Sequence, residues 1–275
     1  MSKSSFLALS AVLVLMTALS AIAPTLTEAH TLGDKLITEP MLTSQEPIPS
    51  TTTPPPQEQQ PVQQPTFLRT DELPFQPWWQ EKVKSQVSTT HTRQYDACLF
   101  GDSISSGLGN TLGNGTFNFA LGGMSTVSLI EQLKILTSAK VKCNTAIIAM
   151  GTNDADYNIT NDNFVKNLKS SIALVKGMGA TKVFLIPAFY STLEASYNPL
   201  LAGSIARVEE INAFIRQVAA GQKAALFEED IQALYQGQAL KKTLTTDGVH
   251  LNAEGKKIYR QALLKLLSVN LKRCQ

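Results

Sequence analysis

The chain has 275 residues, 43% hydrophobic and 17% charged, with a net charge of +2. That length suits one domain plus additional chain. The near-neutral balance, with no clustered basic stripe, argues against a nucleic-acid binder, and no period of about 20–50 residues marks a solenoid or propeller.

Composition divides the chain in two. Of the 13 prolines only Pro187 and Pro199 lie beyond Pro77, and of the 16 glycines all but Gly33 lie at or after Gly101. At the start, Lys3 precedes an apolar run from Phe6 to Ala23, the pattern of a secretory signal. The run is also close to the ~18 residues of a membrane span. Two readings of residues 1–29 stay open, a cleaved signal or an uncleaved N-terminal anchor. Both predict export, to a periplasmic, extracellular or membrane-anchored location. No cysteine precedes Cys98, which excludes a lipid-modified cysteine after the signal.

Residues 30–90 follow as a Pro-, Gln- and Thr-rich spacer. Pro54-Pro55-Pro56 and the Gln-rich stretch after it have too little apolar surface to offset chain entropy. The aromatics of Pro74-Phe75-Gln76-Pro77-Trp78-Trp79 are expected to pack on the edge of the domain that occupies residues 91–275.

Within that domain, apolar runs alternate with helical periods. Strands are predicted at Asp96–Phe100, Thr116–Leu121, Thr145–Met150, Thr181–Pro187 and Ala224–Phe227, each apolar enough to be buried on both faces. A capping box at Ser128 and Glu131 would open a first helix. Phe164, Leu168, Ile172 and Val175 form a second, ended by Gly177. Val208, Ile211, Ile215 and Val218 form a third, stopped at Gly221. Asn252 caps a last one carrying Ile258, Ala262, Leu266 and Val269. Such β-α repeats predict an α/β fold with a parallel sheet between helical layers, and ligands bound beyond the carboxyl ends of the strands.

The candidate chemistry falls there. His250 is the one histidine beyond the first strand, since His30 and His91 lie before it. In Asp247-Gly248-Val249-His250 the glycine allows a turn that brings the carboxylate to the imidazole, as a triad acid requires. Ser103 follows the first strand in Gly101-Asp102-Ser103, on a turn that can expose its Oγ to a base. Asn153, in Gly151-Thr152-Asn153-Asp154 after the third strand, and the Gly122-Gly123 backbone after the second can donate to a developing oxyanion. Each block alone is as consistent with a capped turn or a helix start. Their succession along the rim of one sheet is not.

These four blocks resemble the SGNH hydrolases, also called GDSL-type, over roughly Tyr95 to Val269. The one departure is Ile104 where the GDSL name has leucine. The resemblance implies a three-layer α/β/α fold with a five-stranded parallel sheet, flavodoxin-like, and a serine acyl-ester hydrolase. Ser103 would be the nucleophile, His250 the base and Asp247 its orienter. Ser103 N–H, Gly123 N–H and the Asn153 side chain would hold the oxyanion. The matching spacing favours Gly123 over Gly122. No metal or other cofactor is implied.

For substrate, short connections without a long lid favour a short acyl group, such as acetate on a glycan; a lipid ester is the other partner considered. Met124, Tyr157, Phe189 and Tyr190 follow strand ends and are candidate substrate-lining residues. Two other classes stay open: an O-acyltransferase acting on glycans through the same acyl-enzyme, and a non-catalytic glycan-binding domain. Of the three cysteines, Cys98 reads as a small buried apolar residue. Cys143 and Cys274 are expected to form a disulfide at the amino end of the sheet.

Overall fold

All five expected strands are present in a computed structural model, which describes residues 70–157 and 159–271. In chain order its elements are α1 (Pro77–Thr90), β1 (Gln94–Gly101), α2 (Ser103–Ser106), β2 (Thr116–Asn118), α3 (Thr126–Ser138) and β3 (Lys142–Ala149). There follow α4 (Thr152–Asp156), α5 (Asn161–Gly177), β4 (Lys182–Ile186), α6 (Leu193–Ser196), α7 (Ile205–Gln222) and β5 (Ala225–Leu226). A small antiparallel hairpin of β6 (Tyr235–Gln236) and β7 (Ala239–Leu240) and the long α8 (Ala253–Leu271) complete the fold.

The main sheet is parallel throughout, in the order β2-β1-β3-β4-β5. Parallel neighbours need crossovers, and the helices supply them. Cys98, Phe100, Ala146, Ile148 and Leu185 face one core, shared with α1, α3, α5 and α7. Leu99, Ile147, Ala149 and Ile186 face a second, shared with α8 and the segment from Ile231 to Leu240. Two cores on opposite faces of one sheet make the three-layer α/β/α architecture and explain why the strands read as continuous apolar runs.

Several boundaries differ from the sequence reading. The domain begins before residue 91. Helix α1 packs into the first core through Trp79 and Val83, each 1% exposed. A fully buried aliphatic or aromatic side chain contributes about 1.5–3 kcal/mol, so α1 belongs to the domain and not to a spacer. Phe75 and Trp78, by contrast, stay exposed. The candidate signal or anchor and the spacer up to residue 69 lie outside the described residues, and among those described no helix is long and apolar enough to cross a membrane.

Helix α3 starts at Ser125, whose capping box closes on Ser128, and not at Ser128 with Glu131. Helix α7 runs past Gly221 and ends where Lys223 adopts φ +52°. The cap predicted for α8 is present: Asn252 Oδ1 accepts from Gly255 N at 3.1 Å. Val269 faces solvent and not the core.

The cysteine expectation is overturned. Cys143 is bonded to Cys98, with Cα atoms 5.9 Å apart, and Cys274 lies outside the described residues. The physical reason is strand order: β2 separates β1 from β3 along the chain, yet β1 and β3 are neighbours in the sheet. An irregularity in β1 helps. The Gly115 carbonyl accepts from both Asp96 N and Ala97 N (2.7 and 3.3 Å), and Tyr95 and Cys98 come to face the same core as Cys143. A bridge spanning 45 residues should stabilise the fold by about 2–4 kcal/mol. We therefore expect Cys98→Ala with Cys143→Ala to lower the urea midpoint without changing the m-value by more than the change in denatured-state compactness requires. A midpoint equal to wild type would show that the bridge adds nothing.

Candidate active site

The site is built at the carboxyl ends of β1, β2 and β3. Strand β1 ends at Gly101, where a Cβ would lie 2.6 Å from Ser105 Oγ and 3.1 Å from the Ala149 carbonyl. Only glycine lets the chain turn that sharply into α2. Asp102 caps the turn, its Oδ1 accepting from Ile104 N at 2.9 Å. Below it, Ser105 Oγ and Tyr259 Oη of α8 are hydrogen-bonded at 3.0 Å, both buried. The short α2 is thus fixed from above and below, and Ser103 at its first position holds its Oγ 2.9 Å from His250 Nε2.

The loop ahead of α8 supplies the partner. Asp247 Oδ2 lies 2.7 Å from His250 Nδ1, while Oδ1 accepts from the backbone N–H of Val249 (2.9 Å) and of His250 (2.7 Å). Gly248 makes this possible: its φ is +91°, and a Cβ there would meet Ala195 Cβ at 2.8 Å and Thr192 Oγ1 at 2.9 Å. The loop is tied down by Thr192 N donating to the Gly248 carbonyl (2.7 Å) and Thr245 Oγ1 donating to the His250 carbonyl (2.7 Å). Burial pulls the Asp247 carboxyl upward, but hydrogen bonds from the His250 ring and from the backbone N–H groups of His250 and Val249 outweigh it and hold it below the ordinary value. Asp247 is therefore an anion at neutral pH.

The candidate oxyanion donors lie on the turns after β3 and β2. After β3, Gly151 takes φ +126°, and a Cβ would lie 2.8 Å from both Ala188 Cβ and Ile211 Cγ2. The turn starts α4, whose Asn153 donates from Nδ2 to the Met124 carbonyl at 2.9 Å. After β2, Gly122 abuts the nucleophile, with its Cβ position 3.9 Å from Ser103 Cβ. Gly123 follows with φ +75°, and its carbonyl accepts from Tyr157 Oη at 2.9 Å. Ser103, His250 and Asp247 are thus in direct contact, Gly122 lies beside Ser103, and Asn153 and Gly123 belong to the adjoining turn.

The four expected substrate-lining residues do not share one fate. Met124 is fully buried and meets the site only through its carbonyl. Phe189, 3% exposed, packs on Tyr235 and Tyr259 in the second core. Neither side chain lines a substrate slot; both are taken up by packing. Tyr190 hydrogen-bonds Glu209, which is paired with Arg216, in a separate polar recess. Tyr157 alone stays beside the site, as a donor to the Gly123 carbonyl.

Two buried carboxyls went unsingled in the sequence. Burial pushes Asp102 up to about 6, against hydrogen bonds from Ile104 and Thr152 and the charge of His250. Burial pushes Asp154 up to about 7, against hydrogen bonds from Thr126, whose N–H and Oγ1 it receives at the start of α3. Both sit inside the matched blocks, so their positions were visible although their burial was not.

The profile of the GDSL-like Lipase/Acylhydrolase family matches residues 99–258, more than half of the chain. The chain belongs to that family. As a GDSL-like hydrolase it is a carboxylic ester hydrolase, and its substrates are esters. Solved structures share its fold at low identity. A GDSL-like lipase from Bacteroides thetaiotaomicron VPI-5482 is 18% identical, covering 69% of this chain and 97% of its own, with a TM-score of 0.58. A putative acylhydrolase from Bacteroides fragilis NCTC 9343 is 21% identical over 74% and 100% of the two chains (TM-score 0.55). A protein from Streptococcus pneumonia described as a putative platelet activating factor is 20% identical over 68% and 92% (TM-score 0.57). No curated protein sequence matches this GDSL-like hydrolase.

Proposed function

We propose that this GDSL-like hydrolase is an exported serine esterase that removes short acyl groups through an acyl-Ser103 intermediate. The observation that carries the reading is the continuous Asp247–His250–Ser103 chain, at 2.7 and 2.9 Å. His250 takes the Ser103 proton as Oγ attacks the acyl carbon. The alcohol leaves with the proton returned by His250, and water activated by the same imidazole releases the acid. The oxyanion is held by backbone N–H groups at Ser103 and at the Gly122-Gly123 turn and by Asn153. An amide NH₂ has two hydrogens. One is bonded to the Met124 carbonyl, which orients the group, and the second is the donor to the oxyanion.

Preorganised donors of this kind carry much of acyl-transfer catalysis. Asn153→Ala is expected to lower kcat by about 10²–10³-fold with little change in KM, read by steady-state kinetics on p-nitrophenyl acetate. A loss below threefold would remove Asn153 from the mechanism.

Three observations support the substrate and location. The side chains of Asp247 and His250 are about half exposed (50% and 47%), so the triad opens to solvent and admits a bulky alcohol such as a glycan. Met124 and Phe189, the most apolar of the candidate substrate-lining residues, are in the core, which leaves less apolar surface for a long acyl chain. The Cys98–Cys143 bridge and the signal-like run at Phe6–Ala23 fit an oxidising compartment outside the cytoplasm. The test is a series of p-nitrophenyl esters of rising chain length. kcat/KM should peak at acetate to butyrate and fall at least about tenfold by dodecanoate, at roughly 1.4 kcal/mol of lost transition-state binding. A maximum at the long end would overturn the short-acyl reading.

A further inference from the structure

We propose that Asp71 is a positioning residue for the oxyanion loop, so that the strap of chain ahead of α1 sets the catalytic rate. This rests on the oxyanion role given above to Asn153 and the glycine turn. Gly122-Gly123-Met124-Ser125 are the last part of the connection from β2 to α3, held at the inner side by Asn153, through the Met124 carbonyl, and by Tyr157, through the Gly123 carbonyl. Its far end is held by Asp71. Asp71 Oδ2 accepts from Ser125 Oγ (2.5 Å), Ser125 N (3.1 Å), Ser128 Oγ (2.7 Å) and Ser128 N (3.2 Å). Its Oδ1 accepts from Leu73 N at 3.0 Å, which orders the strap itself.

The strap also covers the turn. Leu73 Cδ1 lies 3.5 Å from where a Cβ on Gly123 would sit, on the side of Gly123 that also carries Tyr157 Oη. The contacts act together. Ser125 is the N-cap of α3, and the carboxylate is placed at that helix's positive end. Displacing Asp71 therefore removes partners from Ser125, the last residue of the connection, two positions after Gly123 with its φ of +75°. A loop in that conformation keeps its donors aimed only while both ends are fixed. Small misplacement of transition-state donors costs rate and not ground-state binding. Sequence reading put residues up to 90 in a spacer, so this contribution is made by chain not counted as part of the domain.

The experiment uses the full chain with p-nitrophenyl acetate. Asp71→Ala is expected to lower kcat by about 10–100-fold with KM within about twofold. Asp71→Asn, which keeps an acceptor oxygen, should fall between that variant and wild type. Ser128→Ala, which removes one tie to Asp71 and the Ser128 half of the capping box but leaves Ser125 Oγ on Val127 N, should lose a smaller factor and is the readout should Asp71→Ala fail to fold. A double-mutant cycle separates positioning from general stability. If Asp71 acts through the oxyanion hole, its effect on kcat shrinks in the Asn153→Ala background. Wild-type kcat in folded Asp71→Ala and Ser128→Ala, or full additivity with Asn153→Ala, overturns the proposal. A loss below threefold in Asn153→Ala alone would instead overturn the oxyanion assignment, so the two failures are distinct.

Discussion

Replacing Ser103 by alanine is expected to lower kcat by about 10⁴-fold or more while leaving the GDSL-like hydrolase folded. The fold should tolerate the change because Ser103 has little structural work. The cap of α2 is Asp102, the brace beneath it is Ser105 with Tyr259, and the Ser103 hydroxyl bonds to His250. The side chain is only partly buried, so its loss leaves no closed cavity. Removing the hydroxyl removes the acyl acceptor itself, and whatever activity remains comes from the oxyanion donors acting on water. Two measurements decide it together. Steady-state hydrolysis should collapse, and a fluorophosphonate probe that adds covalently to wild type should fail to label the variant. If Ser103→Ala turns over at more than about a tenth of the wild-type rate, the acyl-enzyme mechanism is wrong, whatever the distances.

Much of this is legible in the sequence because the fold and the chemistry leave different marks. Runs such as Thr145–Met150 announce strands buried on both faces, and parallel strands place their carboxyl ends on one rim. A serine after β1, an asparagine after β3 and an Asp-x-x-His loop before the last helix then have one place to meet. What the chain order hides is adjacency. β1 pairs directly with β3 although β2 lies between them in the chain, so Cys98 meets Cys143, where the sequence reading paired Cys143 with Cys274. Composition misled in a related way at residues 70–90. A proline-bounded segment next to a Gln-rich stretch reads as more spacer, yet Trp79 and Val83 close the first core and Asp71 accepts from Ser125 and Ser128 at the start of α3. Burial was the third blind spot. Met124 and Phe189 follow catalytic strands as substrate residues would, and only packing shows that one lends its carbonyl and the other none of its surface.

The second large effect is expected at Asp247, and it tests the imidazole's tautomer. In Asp247→Asn the new Oδ1 can still accept from Val249 N and His250 N, so the loop should keep its shape. The other end of the amide is an NH₂ where a carboxylate oxygen stood 2.7 Å from His250 Nδ1. That NH₂ needs an acceptor. It is satisfied when Nδ1 carries the lone pair, which forces the ring proton onto Nε2, the nitrogen facing Ser103 Oγ at 2.9 Å. The base then presents a hydrogen where it must accept one. Where the triad acid is fully buried, this exchange costs about 10⁴-fold. Here Asp247 is half exposed, water competes for the NH₂, and we expect a loss of about 10²–10⁴ in kcat with the urea midpoint close to wild type. The loss should also persist as pH rises through neutrality, because a neutral ring in the wrong tautomer gains nothing from further removal of protons from solution. Turnover within about tenfold of wild type, or recovery of the variant at mildly alkaline pH, would show that the carboxylate holds the loop and not the proton.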